Sequence, residues 1–79
     1  MQLSQIIAFL SIAELGSFSL AAERLHITQP AVSKRIRQLE QSMKTTLFDR
    51  IGKRSILTPT GLAFLPHAQR ILHEVNTYR

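Results

Sequence analysis

Cysteine and tryptophan are missing from this sequence of 79 residues, and acidic side chains are scarce, with five against ten lysines and arginines. Without cysteine, neither disulfide bonds nor thiolate chemistry is available, which fits a cytoplasmic protein. The three histidines, His26, His67 and His73, lack the spacing of a zinc site, so we predict no metal and no cofactor. The longest unbroken apolar run, residues 6–10, is too short to cross a bilayer, and we expect no membrane partner.

The residue arrangements that support catalysis are absent as well. The sequence has no glycine-rich phosphate loop, no pair of carboxylates on a common face and no nucleophile with an accompanying base. A chain of this length forms one domain and buries only about 60% of its unfolded surface. These features favour a small binding domain and argue against an enzyme.

Positive charge is concentrated in the middle of the chain. The net charge is +5, and residues 34–54 carry seven cations and only two acids. Such a patch favours a polyanionic partner. Taken alone, it is equally compatible with a solvated face that keeps a small protein in solution. A membrane-surface module built on the last helix is a weaker alternative, because that helix has few cations.

Two helices are predicted before residue 26. The first ends near Gly16, because glycine readily takes the left-handed conformation that closes a helix. Ser17 or Ser19 can cap a short second helix. The residues at core spacing are Leu3, Ile6, Ile7, Leu10 and Ala13 in the first helix, and Phe18, Ala21, Ala22 and Leu25 in the second.

A third helix, with two contrasting sides, follows a sharp turn. Thr28 is a good N-cap, and Pro30 falls in the first turn, where its missing N–H leaves no helical hydrogen bond unmade. At 100° per residue, one side is apolar and the other is polar and cationic. The apolar side holds Val32, Ile36, Leu39 and Met43; the polar side holds Pro30, Ser33, Lys34, Arg37 and Gln38, with Gln29 exposed at the tip.

A basic hairpin and a final helix complete the pattern. We predict strands at about 47–51 and 55–57, with Arg50, Lys53 and Arg54 around the turn. Thr58 then caps a helix that starts at Pro59 and runs to the end of the chain, where we expect the protein to continue. Pro66 lies inside this helix and predicts a kink or a break.

Two stretches resemble the N-terminal DNA-binding domain and linker helix of LysR-type transcriptional regulators. They are FLSIAELGSFSLAAERLHITQPAVSKRIRQLE and LFDRIGKRSILTPTGLAFLPHAQRIL, which cover nearly the whole chain. The resemblance implies a mainly α, winged helix-turn-helix domain at 1–58, with a three-helix core, a small β-hairpin wing and the helix-turn-helix at about 18–37. A long linker helix, 59–79, would follow.

The resemblance also implies partners. The linker helix would pair two subunits antiparallel, so that a homodimer or higher homo-oligomer binds double-stranded DNA at an interrupted inverted repeat and controls transcription. A small-molecule effector would act only through a C-terminal domain that this chain does not contain.

The predicted site residues fall into two groups. The resemblance supplies the DNA-contacting residues except Arg37, which is added because its charge suits a phosphate, and the apolar stripes of the last helix supply the dimerisation residues. The DNA-contacting set is Thr28, Gln29, Pro30, Ser33, Lys34 and Arg37 on the third helix, with Arg50, Lys53 and Arg54 in the wing; the dimerisation set is Leu65, Ala68, Ile71, Leu72 and Val75. Within the first set, the Gln29 amide can pair with the edge of an adenine. Arg35, on the flank of the helix, is expected to pair with Glu40 or Asp49.

Three positions depart from the family pattern. Lys34 stands where many relatives have arginine, so we expect either a single-point contact with a base or a phosphate contact, and not a planar, two-pronged one. Lys44 stands where glycine commonly ends the third helix, and because a side chain disfavours the left-handed conformation, we expect a differently built turn. Ile56 replaces a residue that is often polar or basic, which predicts one wing contact fewer.

Overall fold

The computed structural model describes residues 1–77, which form four helices and one two-stranded antiparallel hairpin. The elements are α1 (Leu3–Leu15), α2 (Phe18–Leu25), α3 (Gln29–Met43), β1 (Phe48–Ile51), β2 (Arg54–Leu57) and α4 (Pro59–Thr77). This order confirms the predicted mainly α, winged helix-turn-helix fold. The last two residues of the predicted linker helix, 78 and 79, lie outside the described residues.

Helix α1 is the centre of the core, and the stripe predicted for it is partly wrong. Of the five predicted core positions only Ile6 is fully buried; Leu3, Ile7, Leu10 and Ala13 are half-buried. The helix contacts α2, α3, α4 and β2, so it is covered on more than one side. A single stripe describes a helix that packs on one layer. The other buried apolar residues of α1 are Ala8, Phe9 and Ile12.

Side-chain caps fix the starts of α2 and α3 as the sequence predicts. The Ser17 hydroxyl accepts a hydrogen bond from the Leu20 N–H (3.1 Å), and the Thr28 hydroxyl accepts one from the Ala31 N–H (3.2 Å). Pro30 lies in the first turn of α3, where no helical bond needs its N–H. The two helices of the helix-turn-helix therefore begin where local chemistry places them.

Both helices of the motif end on a left-handed residue that is not glycine. His26 closes α2 with φ 56°, and Lys44 closes α3 with φ 57°. The Lys44 N–H donates to the Gln41 carbonyl at 3.3 Å. Our expectation of a differently built turn after α3 is therefore wrong. The lysine takes the left-handed conformation that glycine takes more easily, and the Thr45 N–H closes the same turn by donating to the Glu40 carbonyl at 3.1 Å.

The hairpin is held to the helices at both of its strands. Phe48 pairs with Leu57 and Ile51 with Arg54, so each strand is within one residue of the prediction, with Gly52 and Lys53 in the turn. The Ser55 N–H donates to the Gly16 carbonyl at 3.0 Å. The wing is therefore fixed against the end of α1.

Helix α4 runs without a break through Pro66. Of the two outcomes predicted for Pro66, a kink or a break, the break is therefore excluded. Proline removes the hydrogen bond to the Leu62 carbonyl, but Leu62 and Pro66 are both exposed, so water can solvate that carbonyl. The Thr58 hydroxyl caps the helix as predicted, accepting from the Gly61 N–H at 3.0 Å, and it donates to the Thr46 carbonyl at 2.7 Å.

Candidate nucleic-acid interface

Helix α3 has one buried and one solvent-facing side. Val32, Ile36 and Leu39 are buried against the core, as predicted, while Met43 is only half-buried. On the other side Lys34 and Arg37 are exposed. Both cations are therefore accessible to a partner.

The N-terminal tip of α3 is exposed as well. Thr28, Gln29 and Pro30 are all solvent-accessible. The Thr28 oxygen is used as the helix cap, but a hydroxyl can still donate its hydrogen to an acceptor. Gln29 keeps a full amide, with two donors and an acceptor, at the end of the helix that would reach furthest into a groove.

Two clefts lie beside α3. The first, which we call the inner cleft, lies between α3 and the wing; the second, which we call the wing-tip cleft, lies between the start of α2 and the hairpin turn. The inner cleft is lined by Phe18, Ser33, Ile36, Arg37, Glu40, Phe48 and Arg50. The wing-tip cleft is lined by Ser17, Phe18, Ser19, Gln29, Arg50, Gly52, Lys53, Arg54 and Ser55.

Ser33 is half-buried because it lies at the wall of the inner cleft. Of the predicted DNA-contacting set it is the one residue that is not fully exposed. Arg37 and Arg50 line the same cleft. A phosphate entering this cleft would meet donors from both α3 and β1.

Arg50 is the wing residue with a defined side-chain contact. Its guanidinium carbon lies 4.2 Å from the centroid of the Phe18 ring, within the range of a cation–π interaction. Arg50 nevertheless remains exposed. Lys53 and Arg54 flank it at the hairpin turn and are exposed too, so all three predicted wing cations are accessible to a ligand.

The cations of α3 and the wing form no ion pair within the described residues. Within residues 1–77 the one ion pair joins Arg24 to Glu14, at 2.7 Å. The expected pairing of Arg35 with Glu40 or Asp49 is not found in that range. Instead, the Glu40 carboxylate accepts a hydrogen bond from the Leu47 N–H at 2.6 Å, which ties α3 to the start of the wing. The charges of Lys34, Arg37 and the wing therefore remain free to attract an anion.

Ser17 and Ser19 line the wing-tip cleft but were not predicted as site residues. Their sequence signal is that of a helix cap, which Ser17 indeed forms. Only the tertiary arrangement places them opposite Lys53 and Arg54.

The predicted dimerisation residues on α4 differ in their availability. Ala68 has no exposed surface, because it belongs to this chain's own core, so it is not available to a partner as the sequence predicted. Leu65 and Ile71 are half-buried and pack against the same core. Leu72 and Val75 are half-buried without belonging to it.

An apolar groove of about 380 Å³ runs between α1 and α4. It is lined by Leu10, Ala13, Glu14, Leu65, Gln69 and Leu72. Its apolar lining residues are half-buried, and such a groove is the kind of surface that another helix can fill.

Neither a spanning helix nor a metal cluster is found in the described part of the chain. No helix within residues 1–77 combines the length and the apolar character needed to cross a membrane. The same residues contain no group of three or more histidine, aspartate or glutamate side chains placed to hold a metal ion.

Comparison with protein families and curated sequences gives consistent matches. A family model described as "Bacterial regulatory helix-turn-helix protein, lysR family" matches residues 3–62. An uncharacterized HTH-type transcriptional regulator in the ibpB-leuC intergenic region of Azotobacter vinelandii is 58% identical over 72 residues, 91% of this chain and 50% of that protein. The regulator ClcR of Pseudomonas putida is 41% identical over 73 residues, 92% of this chain and 25% of ClcR. The chain thus spans half or less of these relatives.

Solved structures show the same architecture. The DNA-binding domain of CbnR, crystallised as a complex with DNA, superimposes with a TM-score of 0.94 at 35% identity, covering 99% of this chain and 90% of that one. Full-length CbnR complexed with its target DNA matches equally well, with 27% of its chain covered. At 35% identity, both structures are similar to this chain in sequence as well as in fold.

Proposed function

Because the chain belongs to the LysR family of bacterial regulatory helix-turn-helix proteins, we propose that it binds a specific double-stranded DNA sequence and controls transcription. The observation that carries this proposal is the two-sided α3: Val32 and Leu39 anchor it, while its polar and cationic side is uncovered. A helix held in this way can enter the major groove, where base pairs are distinguishable. Acting on the bacterial chromosome would place the protein in the cytoplasm.

The roles that we propose for individual residues follow from where they lie. Thr28, Gln29, Pro30, Ser33 and Lys34 are at the N-terminal half of α3, which approaches base edges in helix-turn-helix proteins. Arg37 lies further along and is suited to a phosphate. The wing set, Arg50, Lys53 and Arg54, would contact the neighbouring backbone or minor groove.

We propose that two chains associate through α4. Residues 1–58 would contact DNA and residues 59–79 would join subunits, although the first half of α4 also completes the core through Phe64 and Ala68. A two-fold dimer presents two copies of α3 and therefore reads an interrupted inverted repeat. In this proposal, a small-molecule effector acts only through a further domain.

Base reading by Gln29 is the first test. We expect Gln29→Ala to lose preference at one position of each half-site, by about 1–3 kcal/mol of discrimination, because alanine cannot pair with an adenine edge. Arg54→Ala should instead weaken all sequences alike, since a phosphate contact carries no sequence information. Selection of bound sequences from a random duplex library, followed by competition binding for each variant, measures both effects.

Gln41→Ala is the matched control for this experiment, since Gln41 is an exposed glutamine near the other end of α3. We expect it to leave the selected sequence unchanged. Equal losses on selected and random DNA for Gln29→Ala would remove Gln29 from the base-reading set. A selected motif without two-fold symmetry would contradict binding as a dimer.

The dimer is tested by placing a charge in the groove. Deleting residues 59–79 would also remove Phe64 and Ala68 from the core, so a point change is the better experiment. Leu72→Glu should shift the chain from dimer to monomer in sedimentation velocity, because a buried, unpaired carboxylate is strongly disfavoured.

Ala63→Glu provides the control for the dimer test. Ala63 is exposed and lies nine residues before Leu72, which is two and a half turns, so it faces the opposite side of α4. It should sediment as the unsubstituted chain does. A chain that is monomeric before any substitution would overturn the role of α4.

A further inference from the structure

Phe18 has one face that is supported by the core and one that carries a cation. Its ring lies 5.8 Å from that of Phe48, which in turn lies 5.4 Å from Phe9. Phe18 itself is 8% exposed. Arg50 covers it with a guanidinium 4.2 Å from the ring centroid. The ring is therefore a fixed platform, and the arginine lies on its surface.

We propose that Phe18 is a positioning residue for DNA binding, holding the Arg50 guanidinium where it clamps a phosphodiester group between α3 and the wing. This inference rests on the proposed DNA-binding function. Phe18 itself need not touch the nucleic acid; it would act through Arg50.

Stacking suits this role because of the geometry of a guanidinium. The group is planar and its five N–H donors point outward in its plane. When one flat face lies on an aromatic ring, the donors at the edges remain free for phosphate oxygens, including the paired contacts that guanidinium makes with phosphate. An arginine held in this way also loses less side-chain freedom on binding than one that is free in solvent.

The position of Arg50 favours a phosphate over a base. Arg50 and Phe18 are the two residues shared by the inner cleft and the wing-tip cleft. Arg37 lies on one side of this boundary, and Lys53 and Arg54 lie on the other. A backbone strand that passes from the groove filled by α3 to the wing must cross that boundary.

A double-mutant cycle on the 79-residue chain tests the inference. Phe18→Leu, Arg50→Ala and the double variant are titrated against a labelled mixed-sequence duplex at several salt concentrations, after thermal unfolding confirms that each is folded. We expect Phe18→Leu to weaken binding by about 2- to 5-fold, the value of a cation–π contact of this kind. In the Arg50→Ala background it should have no further effect. Arg50→Ala should also reduce the salt slope by about 0.9.

Phe64→Leu is the matched control, because Phe64 is also 8% exposed and packs edge-on against Phe9, and it lines neither of the two clefts. Its effect should add to that of Arg50→Ala without coupling. Arg50→Lys leaves the core intact and gives a second test if Phe18→Leu does not fold. Lysine keeps the charge but has no planar fork, so we expect a loss of affinity at an unchanged salt slope.

Two results would overturn the inference while leaving DNA binding intact: equal losses from Phe18→Leu in both backgrounds, or full affinity in Arg50→Lys. An unsubstituted chain that does not bind the duplex at all would overturn the proposed function, and this inference with it.

Discussion

Replacing Gly61 by alanine is expected to destabilise the chain by about 3 kcal/mol or more, the range of severe overpacking in a core. A Cβ built on Gly61 falls on the carbonyl oxygen of Leu47 and lies 2.9 Å from Cδ2 of Leu57. The Leu47 carbonyl cannot easily move away, because it accepts the Thr58 N–H at 3.0 Å. For a domain of this size such a loss lowers the melting temperature by about 12–24 °C.

The sign of this effect separates packing from helix propensity. Alanine is favoured over glycine inside a helix by about 1 kcal/mol, so propensity alone predicts a more stable protein. Thr60→Ala, an exposed change in the same helical turn, should remain close to the unsubstituted chain. Calorimetry of both variants measures their melting temperatures and so shows whether packing or helix propensity dominates. A Gly61→Ala chain that melts at or above the original temperature would show that α4 does not approach the Leu47 segment this closely.

Binding to DNA is expected to weaken steeply as salt rises. The proposed interface contains five cations per chain, Lys34, Arg37, Arg50, Lys53 and Arg54, and each phosphate that they neutralise releases about 0.9 of a counterion. If all five contact phosphates, a four-fold rise in salt lowers the association constant by about 500-fold for each bound chain. Fluorescence anisotropy titrations across a series of salt concentrations measure the slope.

Substitutions that each remove one cation test which residues contribute to the salt slope. Lys53→Ala should reduce the slope by about 0.9, because Lys53 is an exposed cation of the wing-tip cleft. Arg70→Ala removes an equally exposed cation from α4, outside the proposed interface, and should leave the slope unchanged. A flat titration of the unsubstituted chain would rule out phosphate contacts as the main source of affinity.

Interactions within one or two turns were sufficient to place the ends of most elements. The Ser17, Thr28 and Thr58 caps and the left-handed Gly16 act on neighbouring residues, so the sequence specifies them directly. The same holds for the two sides of α3, because the helical repeat alone fixes which residues share a face. His26 and Lys44 are exceptions, since both take a conformation that local preference disfavours.

Only the tertiary structure decided which faces of the helices are covered and which residues of different elements are neighbours. Helical spacing predicted a stripe on α1, but contacts on several sides bury Phe9 and Ile12 instead. Ala68 belongs to the core and not to a partner surface for the same reason. The contact of Arg50 with Phe18 joins β1 to α2, which is distant in sequence. The hydrogen bond of Glu40 with Leu47 joins α3 to the segment before β1. A repeat in the sequence identifies residues that point the same way; the packing of one element on another determines which of them remain free to bind.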